Sequence, residues 1–140
     1  MHRVIELFAG CGGMALGFRL AGFRTVMANE MDRHACDTLR ANITTDVVCC
    51  DIQDIQSFPA ADVVAGGPPC QGFSALGSRN ASDPRNQLWR EYFRCVEQAQ
   101  PKVFVLENVP RAAFCRPKEA PCTTAKANGL IRAPQPRTIL

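Results

Sequence analysis

Three groups of residues in this 140-residue chain combine types and spacings that could do chemistry. One is Gly66-Gly67-Pro68-Pro69-Cys70-Gln71-Gly72-Phe73-Ser74. Two glycines end an apolar run, two prolines stiffen the exit, and a cysteine follows. A thiolate at Cys70 would be a strong nucleophile, held outside a strand where a ligand crevice is expected. The bland alternative is a small buried hydrophobe, the usual fate of cysteine. Another is Glu107-Asn108-Val109-Pro110, directly after the apolar run Val103-Phe104-Val105-Leu106. Partial desolvation at a strand end would raise the pKa of Glu107 and suit it to donate a proton. Its alternative is an exposed carboxylate at a strand end.

The last group is Phe8-Ala9-Gly10-Cys11-Gly12-Gly13. Glycines here let the backbone turn tightly and approach a ligand before a helix begins at Met14. Gly10-x-Gly12-x-x-Ala15 fits a relaxed dinucleotide fingerprint, and Glu30 follows twenty positions after Gly10, where a carboxylate can take a ribose diol. Strand, turn, helix, strand and acid together point to a nucleotide-like cofactor, without saying which. Asp51 could accept from an adenine amino group with Ile52 against the ring; read by itself, Asp51 is better taken as a turn residue.

The elements that must position these groups are legible in the pattern. Apolar or β-branched runs at Arg3–Phe8, Arg24–Asn29, Val47–Cys50, Asp62–Gly66 and Val103–Asn108 read as strands. Met14–Ala21, Asp32–Asn42 and Asn86–Gln100 read as helices, with Gly22 ending the first and Asp32 capping the second. Alternation of the two kinds implies an α/β fold with an open, mostly parallel sheet ordered 3-2-1-4-5. In that order the glycine-rich loop and the Cys70 loop follow neighbouring strands at the switch point. The fifth strand, four apolar residues in a row, is expected to be buried on both faces.

Composition narrows the class. Hydrophobic residues make up 46% and charged residues 21%, which suits one ordinary core and not a disordered chain. No apolar run approaches the roughly 18 residues of a membrane span, and Met1–Gly10 does not read as a signal peptide, so a cytoplasmic protein is expected. The eight cysteines contain no C-x2-C pair, so reduced thiols are expected, with neither bridges nor a metal site. The net charge of +3 hints at a polyanionic partner, but it is unevenly placed. Residues 1–110 carry net −2 and residues 111–140 net +5, so the excess says nothing about the folded part.

Together these segments resemble the DNA (cytosine-5) methyltransferase family, in Leu7 to Gly13, in Gly66 to Ser74 and in Glu107-Asn108-Val109. The resemblance implies a Rossmann-like methyltransferase fold and S-adenosylmethionine as cofactor. Phe8, Ala9, Gly10, Cys11, Gly12 and Gly13 would hold its methionine end, Glu30 its ribose, Asp51 its adenine amino group, with Met31 and Ile52 flanking the ring and Pro68 and Leu88 as further contacts. It implies Cys70 as the nucleophile, Glu107 at the cytosine ring, Gln71 and Ser74 on a loop closing over DNA, and double-stranded DNA with a flipped cytosine as substrate. The family's Gln-x-Arg-x-Arg strand and target-recognition domain have no counterpart here. Residues 1–110 are therefore read as the N-terminal part of the catalytic domain, and residues 111–140, with four prolines, as an atypical basic tail. The expectation is a truncated or frame-shifted product, or one half of a split enzyme awaiting a complementing subunit, inactive alone. A non-catalytic binding remnant and an NAD-binding oxidoreductase domain are the alternatives.

Overall fold

The computed structural model describes residues 1–69 and 88–108. Cys70, Gln71, Ser74 and the tail therefore lie outside the described residues. In chain order the elements are β1 (Arg3–Leu7), α1 (Gly13–Leu20), β2 (Arg24–Glu30), α2 (Arg33–Asn42), β3 (Val47–Cys49), a 3-10 turn (Ile52–Asp54), β4 (Val63–Gly66), α3 (Leu88–Ala99) and β5 (Val103–Leu106). The five strands form one sheet ordered β3-β2-β1-β4-β5, with every neighbouring pair parallel. This is the order expected from the alternation of elements.

β1 is central, and Val4, Ile5 and Leu7 are fully buried. Its two faces serve different cores. Ile5 and Leu7 join Val64 and α3 residues Tyr92, Cys95 and Ala99. Val4 lies on the opposite face with Val63 and Ala65, against Met14 and Phe18 of α1. A parallel strand covered on both sides reads as a continuous apolar run, which is why β1 is legible in the sequence. Glu6 breaks that run and is nonetheless buried.

Local signals explain the helix ends. Asp32 caps α2 by accepting the Ala35 N–H at 2.8 Å. α1 starts one residue earlier than expected, because Gly12 takes the left-handed N-cap position at φ 91°. Gly22, at φ 84°, ends that helix and donates its N–H to the Arg19 carbonyl. α3 stops before Pro101, with Gln100 at φ 49°.

One expectation fails. β5 is not buried on both faces: all four of its residues are exposed, Val103 by 56%. The reason is its place in the sheet. It is an edge strand among the described residues, paired only with β4, while α3 aromatics reach Phe104 from one side. The buried hydroxyl of Tyr92 lies 3.1 Å from the Val64 carbonyl and 2.9 Å from that of Val105, tying β4 and β5 to α3.

Candidate cofactor and catalytic site

The carboxyl ends of β1 to β4 open onto one cavity of about 240 Å³. Phe8, Glu30, Met31, Asp51, Ile52 and Leu88, all singled out from the sequence, line it. So do Asn29 and Cys50, which were not, and Gly67 and Pro69, which the sequence marked only as the stiff exit before Cys70. A larger hollow of about 310 Å³ lies beside Phe23, Arg24 and Thr25, where β2 begins, and none of the candidate residues reaches it.

The wall beside β1 is a strained turn. Phe8 has φ 56°, a left-handed conformation that costs a non-glycine residue roughly 1–3 kcal/mol. Two backbone hydrogen bonds hold the turn: the Ala9 N–H donates to the Asn29 carbonyl at 3.0 Å, and the Gly12 N–H to the Ala9 carbonyl at 2.9 Å. Gly10, at φ 54°, continues the turn. Not all of the loop faces the cavity. Ala9 is buried against Ala15, Ala28 and Leu39, Gly12 is buried, and Cys11 is exposed.

Glu30 organises the end of β2. One carboxylate oxygen accepts the Gly10 N–H at 2.8 Å; the other accepts Met31 and Asp32 N–H at 2.8 and 2.9 Å. A carboxylate has about four lone-pair sites, so the oxygen facing Gly10 keeps room for another donor. Asn29 spans from β2 to β3, donating to the Val48 and Cys50 carbonyls at 3.1 and 3.0 Å.

Asp51 does two things at once. It caps the 3-10 turn, accepting the Gln53 N–H at 3.0 Å on one oxygen, as its reading as a turn residue requires. Its other oxygen takes no hydrogen bond among the described residues, and Asp51 lines the cavity. Arg94 fixes this turn from α3. Its guanidinium donates to the Ile55 and Ile52 carbonyls at 2.9 and 3.0 Å, pairs with Glu91, and lies 4.9 Å over the Phe58 ring. Cys50, in the same wall, has its thiol pushed up by burial and by the charges of Asp54 and Asp51.

The remaining wall joins β4 to β5. A Cβ on Gly67 would lie 2.8 Å from the Glu107 carboxylate, so glycine is what lets that carboxylate approach the β4 exit. The Glu107 N–H donates to the Gly66 carbonyl at 2.9 Å, and the Asn108 amide donates to the Pro68 carbonyl at 3.2 Å. Two expectations need correcting. Glu107 is exposed, so the described residues do not supply the desolvation expected of it. Pro68 is buried with its carbonyl turned to Asn108, and Pro69 lines the cavity in its place.

The residues present fit a cofactor with an adenosine end. Two acids with acceptor capacity to spare, Glu30 and Asp51, stand on either side of apolar Phe8, Ile52 and Leu88. An open parallel sheet of order 3-2-1-4-5 carrying such a site is the fold of Rossmann-like S-adenosylmethionine-dependent methyltransferases. Comparison with known proteins narrows this further. The model of the C-5 cytosine-specific DNA methylases matches residues 2–120, and the chain belongs to that family, of which dependence on S-adenosylmethionine is a defining feature. The type II methyltransferase M.DdeI of Desulfomicrobium norvegicum is 44% identical over 113 residues, covering 76% of this chain and 27% of that protein. M.AquIA of Picosynechococcus is 46% identical over 119 residues, covering 76% and 48%. Among solved structures, a putative DNA modification methyltransferase encoded within an Escherichia coli prophage superimposes with TM-score 0.66 at 38% identity, over 79% of this chain and 33% of that one. Dnmt2 methyltransferase of S. pombe gives TM-score 0.61 at 25% identity, over 79% and 37%. The chain thus spans about a quarter to a half of the length of the relatives it matches.

Proposed function

We propose that this chain supplies the cofactor-binding and nucleophile-bearing part of an enzyme that methylates C5 of cytosine in double-stranded DNA, with residues 1–110 as its folded unit. The observation that carries the reading is the convergence of Phe8, Glu30, Asp51 and Leu88 on one cavity whose far wall is Gly67, approached by the Glu107 carboxylate. When bound, S-adenosylmethionine supplies a methyl group activated by its sulfonium. Phe8 to Gly13 hold the methionine end, Glu30 the ribose hydroxyls, and Asp51 the adenine amino group.

The chain's own residues do the rest. C5 of cytosine is too weak a nucleophile to react unaided. The Cys70 thiolate forms a bond to C6 while Glu107 hydrogen-bonds or protonates N3, so that the ring becomes an enamine nucleophilic at C5. Once C5 carries the methyl group it loses its proton, the S–C6 bond breaks and Cys70 is regenerated. A cytosine stacked in a duplex is out of reach, so it is flipped into the pocket, with Gln71 and Ser74 on the closing loop. The parts that read the target sequence are supplied by the remaining length of the family's catalytic domain, in the same polypeptide or in a complementing one. The site of action is the cytoplasm.

Cys70→Ser in the complete enzyme tests this. Expected is loss of methyl transfer with S-adenosylmethionine binding retained; transfer by the variant at the wild-type rate sinks the assignment.

A further inference from the structure

Asn29 stands where three parts of the cavity wall meet, and it is 2% exposed. Its carbonyl accepts the Ala9 N–H at 3.0 Å, which ties it to the glycine-rich turn. Its chain neighbour is Glu30, whose carboxylate closes that turn through the Gly10 N–H. Its side-chain amide donates to the Val48 and Cys50 carbonyls at 3.1 and 3.0 Å. Register pairs Asn29 with Val48, and β3 ends at Cys49. The bond to Cys50 therefore carries the attachment of β3 to β2 one residue beyond the strand.

An amide suits this position. Two carbonyls call for two donors, and one amide nitrogen carries both. A carboxylate here would set acceptors against acceptors, and an apolar side chain would leave both carbonyls without that donor. The consequence reaches Asp51, which directly follows Cys50. The peptide between them is planar, so a fixed Cys50 carbonyl fixes the plane from which the Asp51 backbone departs. At its other end Asp51 is held by the Gln53 N–H, 3.0 Å from one carboxylate oxygen. Restrained at both ends, Asp51 has the direction of its remaining oxygen set.

We propose that Asn29 is a positioning residue that sets selectivity for the adenine base, by holding Asp51 at a fixed reach from Glu30. The ribose and base of one nucleoside are rigidly spaced, so two acids that read them must be held as rigidly. Asn29 links the two: Glu30 is its neighbour in the chain, and Asp51 follows the carbonyl that its side chain holds. Its amide nitrogen is spent on backbone carbonyls, so it acts through Asp51. This rests on the reading of Asp51 as the acceptor for the adenine amino group, and adds the residue that keeps it in place.

S-adenosylhomocysteine and S-inosylhomocysteine test this by calorimetric titration of the full chain. The inosyl compound carries a carbonyl in place of the amino group and a proton on N1. A carboxylate held opposite the amino position meets an acceptor there, whereas one free to shift reaches the N1–H instead. Expected in the wild-type chain is a preference of at least about tenfold for the adenosyl compound. In Asn29→Leu the ratio is expected to fall to within about threefold. Tyr92→Phe, altered at the β4–β5 seam, is expected to keep the wild-type ratio. An unchanged ratio in Asn29→Leu, or an equal fall in Tyr92→Phe, overturns the inference and leaves the cofactor site standing. The wild-type chain gives a second reading that needs no variant to fold. At equal saturation, exchange of the Asn29 side-chain amide protons should slow more with the adenosyl than with the inosyl compound, because coupling is reciprocal. Equal slowing overturns the inference. A wild-type ratio near one removes Asp51 as the adenine acceptor and the inference with it, and binding of neither compound overturns the cofactor reading as well.

Discussion

Glu30 accepts the backbone N–H of Gly10 at 2.8 Å across twenty positions of sequence, so the glycine-rich loop after β1 is closed by the acid that ends β2. Through its other oxygen the same carboxylate holds the backbone entering α2. A candidate ligand-binding acid is thereby also the brace of its own site, with its free acceptor capacity turned to the cavity.

Replacing Glu30 with Gln removes the charge from three hydrogen bonds and leaves one amide end facing N–H donors. Charge-assisted bonds contribute roughly 1.5–3 kcal/mol each. S-adenosylmethionine affinity is expected to fall at least about tenfold, read by calorimetry, with a smaller loss of stability. Unchanged affinity in a folded variant counts against Glu30 as a cofactor residue.

Arg94 is a positioning residue for the Asp51 wall of the cavity, because it holds the Ile52 and Ile55 carbonyls from α3 without lining the cavity. Arg94→Met keeps some packing on Phe58 and loses the donors. Expected is a destabilisation of about 1–3 kcal/mol in chemical denaturation. Weaker cofactor binding should accompany it, while Arg94→Lys recovers only part of either, since an ammonium cannot present two carbonyl contacts in the same fork.

Tyr92 is buried with its hydroxyl beside two backbone carbonyls, and burial pushes its phenol well above the usual range, so it remains a donor at every working pH. Tyr92→Phe leaves those carbonyls without that donor at the β4–β5 seam. A cost of about 1–2 kcal/mol is expected. Faster amide exchange confined to β4 and β5 would distinguish it from a general loss of packing.

Glu6 predicts a pH dependence of stability with a definite sign. Its folded pKa, about 7, lies above the ordinary value of 4.5. The folded chain therefore binds the proton more tightly than the unfolded chain. The stabilisation is fully present below about pH 4.5 and is lost as pH rises through about 7. Glu6→Gln imitates the protonated form, so it should match wild type near the acid end and exceed it above neutrality, by on the order of 2–3 kcal/mol. Parallel stability curves for the two proteins across this range would exclude a buried titrating Glu6.

Much of this fold is legible in the sequence. The parallel sheet, its strand order and the positions of its helices follow from apolar runs, Asp32 and Gly22, because those signals act locally. The cavity wall is legible in part: Phe8, Glu30, Asp51 and Ile52 stand where loops after parallel strands must meet, while Met31 and Leu88 were marked only by the family resemblance. Asn29 and Cys50 are not legible, since each is an ordinary residue made significant by its neighbours across the cavity. β5 was misjudged because an apolar run encodes the capacity to be buried, while burial itself depends on neighbours that the run does not contain.

By itself the sequence determined the family: the Pro-Pro-Cys-Gln segment, the Glu-Asn-Val segment and the glycine-rich turn together carry the resemblance to the C-5 cytosine-specific DNA methylases. Only the tertiary structure decided how charge is distributed beneath that turn. Whether Glu6 is a surface acid or a buried one depends on Ala28 and Ala65 arriving from two other strands and on Leu39 forbidding a side chain at Gly12. Those are contacts between residues far apart in the chain, and the electrostatic cost of a buried carboxylate exists only once they close around it.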